Sequence, residues 1–492
     1  MRFMLVDALL EANRRSPHAL AVDDGVRSLT YKRLTLLASV LRGIVRRETP
    51  CERVGIMLPA SSMFPAALFG VLWSSKTAVP LNFLLSTDEL RKVVENAELD
   101  LILTIRHFKD LGTKLPARTL FLEELPLKRK MLPAMFRRLP PAPTVDPHAT
   151  AVILYTSGTT AEPKGVELTY SNLHSNCVDA IHSLGIDPRQ TVLNILPPFH
   201  VFGLTATVLV PVMLGMSVYA IPRFSPVAVV RTAAAKRISL IAGISSMYAA
   251  VLRTKSAKPE SLSSIQLAIC SGEPLPDSVR IGFQERFGVT LRQGYGLTET
   301  SPVVSVCSAG AHREGTVGKP IRNVEVRIVD SEGRDLSAGG EGEILVRSPG
   351  VMKGYYKKPD ETRRVIDADG WFRTGDIGRL DEDGYLTVTG RVKEMLIIGG
   401  ENVFPREIEA VLEAHEGVLQ AAVIGVPDES RGEVPVAFVI PRHGATVSEQ
   451  ELRNHAKRSL AGFKVPKQVH IREDLPQSPT GKVLKRRLRE LL

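Results

Sequence analysis

The chain has 492 residues, which is more than one hydrophobic core usually supports, so we expect at least two domains. Hydrophobic residues make up 44% of the chain and charged residues 24%, a balance that excludes a disordered protein. The net charge of +10 lies in the first 393 residues, because residues 394–492 carry fourteen basic and fourteen acidic side chains.

The N-terminus and the cysteines indicate where the protein works. Residues Met1 to Arg15 carry Asp7 and Glu11 within their apolar pattern, which is not typical of a signal peptide. The four cysteines are scattered without a Cys-x-x-Cys pair, so the sequence predicts neither a disulfide framework nor a zinc site. We expect a cytoplasmic protein, either free or peripheral at the membrane surface.

Helix-like and strand-like segments alternate through the first part of the chain, which predicts an α/β sheet protein. From Gly315 to Tyr385, short strands with Gly and Asp turns predict a smaller β-rich region. A compact α+β module is expected after Lys393, so the predicted domains are 1–392 and 393–492. The predicted strands are Arg53 to Met57, Leu101 to Ile105, Ala151 to Leu154, Leu193 to Leu196 and Ser217 to Ile221, and the predicted helices of the last module are Pro405 to Ala414 and Ser448 to Leu460.

Part of the positive charge lies in residues 127–139, where Lys and Arg interleave with Met, Leu and Phe. Such a segment is suited to the surface of an anionic membrane. The other interpretation is a solvated linker that packs its apolar residues on the body, and four nearby prolines favour it because they break long helices. Nucleic acid is a poor third partner, because no recognition motif accompanies the charge.

The segment Tyr155-Thr-Ser-Gly-Thr-Thr-Ala-Glu-Pro-Lys-Gly165 follows the apolar run that ends at Leu154. Backbone N–H groups, hydroxyls and a lysine together suit a phosphate group. It is not a Walker loop, because Lys164 is not followed by Ser or Thr. Taken alone, it is equally a solvated polar turn.

Residues Val201 to Pro222 contain no charged side chain and are long enough to cross a bilayer. Gly203, Pro211 and Gly215 interrupt the segment, so we interpret it as a buried helix that leads into a strand.

Six further motifs follow the loop in chain order, and together the seven resemble the signature of the adenylate-forming superfamily, which contains acyl-CoA synthetases, amino-acid adenylation domains and firefly luciferase. The match extends from about residue 150 to the end of the chain. The resemblance implies a large N-terminal domain of α/β sheets with a small β-rich region, and a mobile C-terminal α+β domain. The further motifs are Pro197-Pro-Phe-His-Val-Phe-Gly203, Ser271-Gly-Glu-Pro-Leu275, Gln293-Gly-Tyr-Gly-Leu-Thr-Glu-Thr300, Trp371-Phe-Arg-Thr-Gly-Asp376, Gly390-Arg-Val-Lys393 and Pro479-Thr-Gly-Lys482.

The resemblance implies ATP, Mg²⁺ and coenzyme A as cofactors. Thr156 and Glu299 are the expected metal ligands, with Thr298 as support, since carboxylate and hydroxyl oxygens suit Mg²⁺. Ala161 departs from the family, which usually has glycine there, so the loop loses some backbone freedom. The residues expected to hold the β and γ phosphates are Thr156, Ser157, Gly158, Thr159, Thr160 and Lys164.

The resemblance also assigns the rest of the nucleotide site. Asp376 would accept both ribose hydroxyls, and Arg391 would reinforce that contact. Each assignment has a structural alternative: Asp376 as a turn-forming aspartate, Tyr295 as a core aromatic residue, and Glu299 as an acid at the start of a helix. The adenine would be framed by Gly272, Glu273, Tyr295 and Gly296.

Lys482 and His200 are the remaining expected catalytic residues, beside Thr156 and Glu299. Lys482 would bridge the carboxylate and the α-phosphate during adenylation, which requires the small domain to close over the site. His200 is expected to position the acid and not to act as a general base, because a carboxylate needs no deprotonation at neutral pH.

For the second half-reaction, the resemblance implies rotation of the small domain about Lys393. Gly399 and Gly400 would line a pantetheine channel, where glycine permits close backbone approach. Phe463, with Lys464 and Lys467, would contact the adenine and phosphates of coenzyme A; a surface helix end is the alternative.

The implied reaction is activation of a carboxylic acid to an acyl adenylate and its transfer to coenzyme A. The motif Pro197 to Gly203 corresponds to the gate segment of the family. No aspartate follows it to pair an α-amino group, so an amino acid is not the expected substrate. Three small residues lie among apolar ones, so a long hydrocarbon tail or a flat aryl ring could fit; the small residues are Ala206, Gly294 and Gly296, and the apolar ones are Phe202, Val303 and Val304. A medium- to long-chain fatty acid is the expected substrate, and the basic segment 127–139 supports it, because a substrate dissolved in a membrane is easier to collect at its surface. An aryl acid–CoA ligase and a fatty acyl-AMP ligase that loads a carrier protein remain as alternatives.

Overall fold

The computed structural model describes residues 5–156, 163–398, 401–428, 431–442, 444–477 and 483–492. Helices and strands alternate as predicted, and the large N-terminal part with a smaller C-terminal module confirms the expected fold class. The described α-helices are α1 Leu5–Arg15, α2 Tyr31–Glu48, α3 Met63–Trp73, α4 Thr87–Asn96, α5 Lys109–Gly112, α6 Leu127–Ala134, α7 Tyr170–Leu184, α8 Val201–Leu204, α9 Val210–Leu214, α10 Pro226–Lys236, α11 Ser245–Leu252, α12 Asp277–Phe287, α13 Pro359–Val365, α14 Pro405–Glu413, α15 Glu449–Lys457 and α16 Lys485–Leu488.

The strands form four sheets in the described part of the chain. They are β1 Leu20–Asp23, β2 Ser28–Thr30, β3 Arg53–Met57, β4 Thr77–Pro80, β5 Leu101–Thr104, β6 Arg118–Phe121, β7 Thr150–Thr156, β8 Lys164–Thr169, β9 Thr191–Asn194, β10 Ser217–Ala220, β11 Leu240–Gly243, β12 Leu267–Cys270, β13 Leu291–Gly296, β14 Val303–Val306, β15 Lys319–Pro320, β16 Glu325–Val329, β17 Gly342–Arg347, β18 Gly354–Tyr355, β19 Phe372–Leu380, β20 Leu386–Arg391, β21 Leu396–Ile398, β22 Glu401–Val403, β23 Val418–Asp428, β24 Gly432–Pro441 and β25 Gln468–Ile471.

Two large sheets build the N-terminal part. One has the order β15-β14-β13-β12-β11-β9-β10-β1-β2, and its central strands β10, β9, β11, β12 and β13 are parallel. The other has the order β18-β8-β7-β4-β3-β5-β6 and is antiparallel only where β8 joins it. The central strands read as short apolar runs because both faces of such sheets are covered by helices. Helices α2 and α3 pack together against this core, and every residue of α3 is buried.

The β-rich region is the antiparallel sheet β16-β17-β19-β20, with its own core around Ile344 and Val346. A short 3-10 turn, Val392–Glu394, joins β20 to the last sheet, which combines β21 to β25 with α14 and α15. The domain boundary predicted at Lys393 lies in this turn and stays a prediction.

The uncharged segment is core, as the sequence indicates. Helix α8, a π-helical turn Thr205–Leu209 and α9 cover most of it, and Gly215 ends α9 with a left-handed backbone (φ +76°) before β10. In the described residues, no helix is both long and apolar enough to span a membrane.

Candidate active site

A cleft with a volume of about 1850 Å³ lies at the carboxyl ends of parallel strands β9 to β13. This edge of an open α/β sheet is where ligands usually bind, because backbone groups and loop side chains meet there. The cleft exceeds the roughly 300–1,000 Å³ of a site for one small ligand, so it has room for two. The 3-10 turn 392–394 and residues 483–485 also line it, which places the C-terminal module at its mouth.

The predicted phosphate loop joins two antiparallel strands. Thr156 ends β7 and pairs with Lys164, which begins β8, and both residues line the cleft. Its central residues Ser157, Gly158, Thr159 and Thr160 lie outside the described part of the chain. The strand pair fixes the two ends of the loop beside the cleft.

A connected set of polar contacts links Lys164 to Glu299. Lys164 forms an ion pair with Glu361 and lies 5.1 Å from the centre of the Tyr355 ring. The Tyr355 hydroxyl donates a hydrogen bond to Oε1 of Glu299 at 3.0 Å. No sequence motif indicates Tyr355 or Glu361, because only the pairing of β18 with β8, followed by α13, brings them to the loop.

Glu299 lies on the 3-10 turn Thr298–Thr300 that follows β13, and Thr298 lines the cleft beside it. The backbone carbonyl of Glu299 accepts a hydrogen bond from the Met352 N–H at 2.8 Å, which fixes the turn. Burial raises the pKa of the Glu299 carboxyl, although the hydrogen bond from Tyr355 opposes the shift. A buried carboxylate with a raised pKa suits a position beside a cation.

Asp376 is the centre of a second polar cluster. It is 2% exposed, its Oδ1 lies 2.8 Å from Nε of Arg391 on the neighbouring strand, and its Oδ2 accepts a hydrogen bond from the Tyr295 hydroxyl at 2.6 Å. Burial, together with the Asp376 carboxylate, raises the pKa of Tyr295, so the phenol stays a donor. A carboxylate has about four lone-pair sites, so Asp376 keeps acceptor capacity for a ligand.

The turn after β12 and the end of β13 form the adjoining wall of the cleft. Gly272 has a left-handed backbone (φ +84°), and Glu273 accepts a hydrogen bond from the Ser245 hydroxyl at 2.9 Å. A side chain at Gly296 would collide with the carbonyl oxygen of Pro302, so only glycine fits there. The structure therefore places Gly272, Glu273, Tyr295 and Gly296 along one cleft wall.

His200 lines the cleft at the gate segment. Its ring lies 5.3 Å from Phe199, and its buried Nε2 has no hydrogen-bond partner among the described residues. Burial lowers the pKa of His200 to about 4, so the imidazole is neutral at pH 7. A neutral ring with a buried nitrogen in a cleft can form a hydrogen bond with a ligand.

One side of the cleft is an apolar wall formed by α7, residues 205–210 and β14. Its polar side chains already have protein partners: Asn176 exchanges two hydrogen bonds with the Val303 backbone, Thr205 donates to the Val201 carbonyl, and Ser305 donates to the Val317 carbonyl. No charged side chain of the described residues belongs to this wall. The residues that line the cleft here are Asn176, Cys177, Ala180, Leu184, Thr205, Ala206, Val210, Val303, Ser305 and Val306.

Phe202 and Gly294, which the sequence predicts near the acid, also line the cleft. The same expectation for Val304 is wrong. Side chains alternate between the two faces of a strand, so Val304 of β14 lies on the face opposite to Val303 and Ser305. It is buried against the β-rich sheet and does not line the cleft.

The C-terminal module contributes Lys485 and Glu394 to the cleft wall, where they belong to a partly buried ion cluster. The Nζ atom of Lys485 lies 2.7 Å from Glu394 and 2.8 Å from Glu409, and burial alone would lower the pKa of Lys485, but the two carboxylates raise it. Lys482, Gly399 and Gly400 lie outside the described residues. The described Phe463 packs on the core of this module and is not part of the cleft wall, while its neighbour Lys464 pairs with Glu407 at 2.7 Å.

Comparisons with known proteins agree with this architecture. Residues 9–356 match the family described as AMP-binding enzyme, and residues 407–482 match the AMP-binding enzyme C-terminal domain. A feruloyl-CoA synthase of Amycolatopsis sp is 35% identical over 97% of this chain and 96% of its own length. A long-chain-fatty-acid–CoA ligase of Bacillus subtilis is 33% identical over 99% of this chain and 94% of its own length.

A solved structure extends the likeness to the fold. The crystal structure of the anthranilate CoA ligase AuaEII in complex with anthranoyl-AMP superposes with a TM-score of 0.92 at 25% identity, over 99% of this chain and 97% of that one. The named acids of these three proteins differ, so the likeness alone does not select a substrate.

Proposed function

This chain belongs to the adenylate-forming superfamily of AMP-binding enzymes, and we propose that it is an AMP-forming acid–CoA ligase whose own acid is a medium- to long-chain fatty acid. Activation of a carboxylic acid through its adenylate, with coenzyme A as acceptor, is the activity of its relatives. The choice of acid rests on this chain's apolar wall.

The proposal of a fatty acid rests on the apolar wall, because the polar side chains of this wall form their hydrogen bonds within the protein and not with a substrate tail. Asn176, Thr205 and Ser305 direct their hydrogen bonds into the protein. A phenolic or charged tail on this wall would lose its water without gaining a partner, which costs about 1–3 kcal/mol for each polar group. An alkyl chain has no such cost and gains about 0.8 kcal/mol for each buried methylene group.

For adenylation, we propose that the acid carboxylate lies between His200 and the phosphate loop. One of its oxygens attacks the α-phosphorus of ATP, and pyrophosphate leaves. The neutral imidazole of His200 orients the carboxylate through a hydrogen bond, and Lys482 supplies the charge that lets the two anions approach. Asp376, held by Arg391 and Tyr295, fixes the ribose, and the wall that contains Gly272, Glu273, Tyr295 and Gly296 receives the adenine.

Superfamily members that are CoA ligases use ATP with Mg²⁺, and the donors in this cleft fit that ion. Glu299 supplies a carboxylate and Thr156 a hydroxyl, whereas the described residues contain no group of three acidic, His or Cys side chains that would hold a metal without phosphate. When bound, Mg²⁺ would neutralise phosphate charge. Lys164 would then exchange its contact with Glu361 for phosphate.

In the second half-reaction, the thiol of coenzyme A attacks the acyl carbonyl and AMP leaves. We propose that the C-terminal module rotates about Lys393 between the steps, with Gly399 and Gly400 along the thiol channel. Phe463 and Lys464 remain candidates for contact with coenzyme A. They do not line the cleft described here, so this contact requires the rotated arrangement.

The test is pyrophosphate release with Mg-ATP and a series of straight-chain acids and aryl acids, each with and without coenzyme A. We expect turnover that requires coenzyme A and is highest for medium or long alkyl acids. The variant Ala206→Phe should fill the apolar wall and shift the preference to shorter acids, whereas Ala235→Phe, on the exposed face of α10, should leave it unchanged. A preference for aryl acids in the unmodified enzyme would overturn the choice of substrate.

An aryl acid is the second candidate, since the feruloyl-CoA synthase is 35% identical to this chain. A carrier protein as acceptor is the third, and one equivalent of pyrophosphate with coenzyme A inert would indicate it.

A further inference from the structure

Helix α6 and the turn after it expose an unusual number of large apolar side chains. Leu132, Met135 and Phe136 are 62%, 52% and 85% exposed, although they lie within five residues of one another. Backbone hydrogen bonds from Met135 to Met131 and from Phe136 to Pro133 continue the helical turn beyond Ala134. At this spacing of three and four residues, the three side chains share one outward face.

The opposite face of the same segment already packs on the protein. Leu127 and Met131, four residues apart, and Leu139 contact the main hydrophobic core. Trp73 donates a hydrogen bond to the Pro141 carbonyl at 2.8 Å, which fixes the end of the segment. The outward apolar side chains are therefore not part of the packing that holds this segment on the protein.

Basic side chains surround this face. Arg129, Arg137 and Arg138 are exposed and Lys130 is half-buried, and residues 127–139 contain no acidic residue. No described carboxylate lies within ion-pair distance of these four side chains. Their charge is therefore not neutralised within the described protein.

Helix α2, against which α6 packs, adds charge of the same sign. Its last turn carries exposed Arg46 and Arg47, for which no described carboxylate lies within ion-pair distance, while Glu48 is occupied by Arg118 at 2.8 Å. Arg42 donates a hydrogen bond to the carbonyl of Trp73 at 3.0 Å, beside the segment's anchor. The positive surface thus extends from the segment onto α2.

We propose that residues 127–139, together with the last turn of α2, form a docking surface for a bilayer that contains anionic lipid. Apolar side chains would enter the boundary between headgroups and acyl chains, and the surrounding arginines would meet the lipid phosphates. A second copy of this surface fits less well, because like charges would face each other. This docking does not depend on which acid the enzyme activates.

The test is sedimentation of the full-length protein with vesicles of phosphatidylcholine alone or with added phosphatidylglycerol, in the absence of any acid substrate. We expect binding only to the anionic vesicles, and weakening as salt rises from 0.05 to 0.5 M, because added salt shortens the range of surface charges. Arg137→Glu/Arg138→Glu should lower the partition coefficient at least about fivefold for each residue changed. Met135→Ser/Phe136→Ser should lower it about tenfold or more.

Two matched variants control for general effects. Lys457→Glu/Arg458→Glu makes the same change in net charge on two exposed residues at the end of α15, and Val26→Ser removes an apolar side chain that is 95% exposed. Both should bind as the unmodified protein does. ATP-dependent activation of a short, water-soluble acid should be unchanged in all variants, which shows that they are folded.

The proposal is wrong if the unmodified protein does not bind anionic vesicles, or if the two control variants lose as much binding as the surface variants. Sedimentation velocity without lipid adds a second check. A dimer that Met135→Ser/Phe136→Ser dissociates would assign the face to a second copy of the chain and would also overturn the proposal.

Discussion

The hydroxyl of Tyr355 donates a hydrogen bond of 3.0 Å to Oε1 of Glu299, and the same ring lies under the ammonium group of Lys164. One tyrosine therefore contacts both the acid that we propose as a metal ligand and the lysine that we propose as a phosphate ligand. Burial raises the pKa of Tyr355, so it remains a protonated donor.

Tyr355→Phe keeps the ring but removes this donor from a buried carboxylate. We expect kcat/KM for adenylation to fall by roughly tenfold, the effect of losing one hydrogen bond to a charged group, and the Mg²⁺ concentration for half-maximal rate to change. The control is Tyr356→Phe, whose hydroxyl donates a hydrogen bond to exposed Glu98 at 3.2 Å. Equal rates for Tyr355→Phe and the unmodified enzyme across a Mg²⁺ titration would contradict the prediction.

Arg391→Gln should raise the KM for ATP by about tenfold, because Asp376 loses the charge-assisted contact that orients it. The KM for the acid should stay the same, since Arg391 contacts the proposed ribose site and not the apolar wall. Arg347→Gln is the control: it breaks a pair with exposed Glu325 in the same sheet, and the Arg347 side chain is about as exposed as that of Arg391. A change in both KM values would indicate a general structural effect.

Lys485→Met should separate the two half-reactions. Lys485 lies three residues after Lys482 and pairs with Glu394 and with buried Glu409, so its loss removes a cation from both carboxylates and costs about 2 kcal/mol of folding stability. We expect formation of the acyl adenylate to fall more than the reaction of supplied acyl adenylate with coenzyme A, because the segment that carries Lys482 loses its anchor.

The control for that variant is Lys464→Met, which removes an ion pair with Glu407 on α14, the helix that also carries Glu409, outside the cleft. It should leave the rate of adenylate formation unchanged. Thermal unfolding measured beside the rates separates lost stability from lost positioning, and an equal loss in both half-reactions would contradict the prediction.

The sequence predicted the sheets well because its parallel strands are buried on both faces and read as bounded apolar runs. The strand Arg53–Met57 has the predicted bounds, whereas β9 covers Thr191–Asn194 and not Leu193 to Leu196. There the apolar run continues into the gate segment, and apolar character alone does not show where the strand's hydrogen bonds end.

Individual site residues could be predicted where a single sequence motif contains them. The contacts between residues of distant segments could not be predicted. Asp376, Arg391 and Tyr295 lie in separate motifs, and the structure joins them through strand pairing. Tyr355 and Glu361 belong to none of the seven sequence motifs. Their roles depend on the pairing of a two-residue strand, which has no periodicity to reveal it.

His200 makes a prediction about pH. Its pKa falls from 6.5 to about 4 through burial, so below pH 6.5 the unfolded chain binds a proton that the folded chain does not. This histidine therefore destabilises the fold progressively as the pH falls from 6.5 towards 4, and it has no such effect above pH 6.5. His200→Gln cannot take up that proton, so its free energy of unfolding should fall less between pH 7 and pH 5.

The measurement is chemical denaturation of both proteins at several pH values, with His148→Gln, at an exposed site, as the control for losing a histidine. The free energy of unfolding of His200→Gln, relative to that of the unmodified protein, should rise as the pH is lowered, because the unmodified protein would have to desolvate a charged ring. Parallel pH curves would show that His200 is protonated in the folded state at pH 5. A buried imidazole that remains neutral is also what allows His200 to orient an acid without moving a proton.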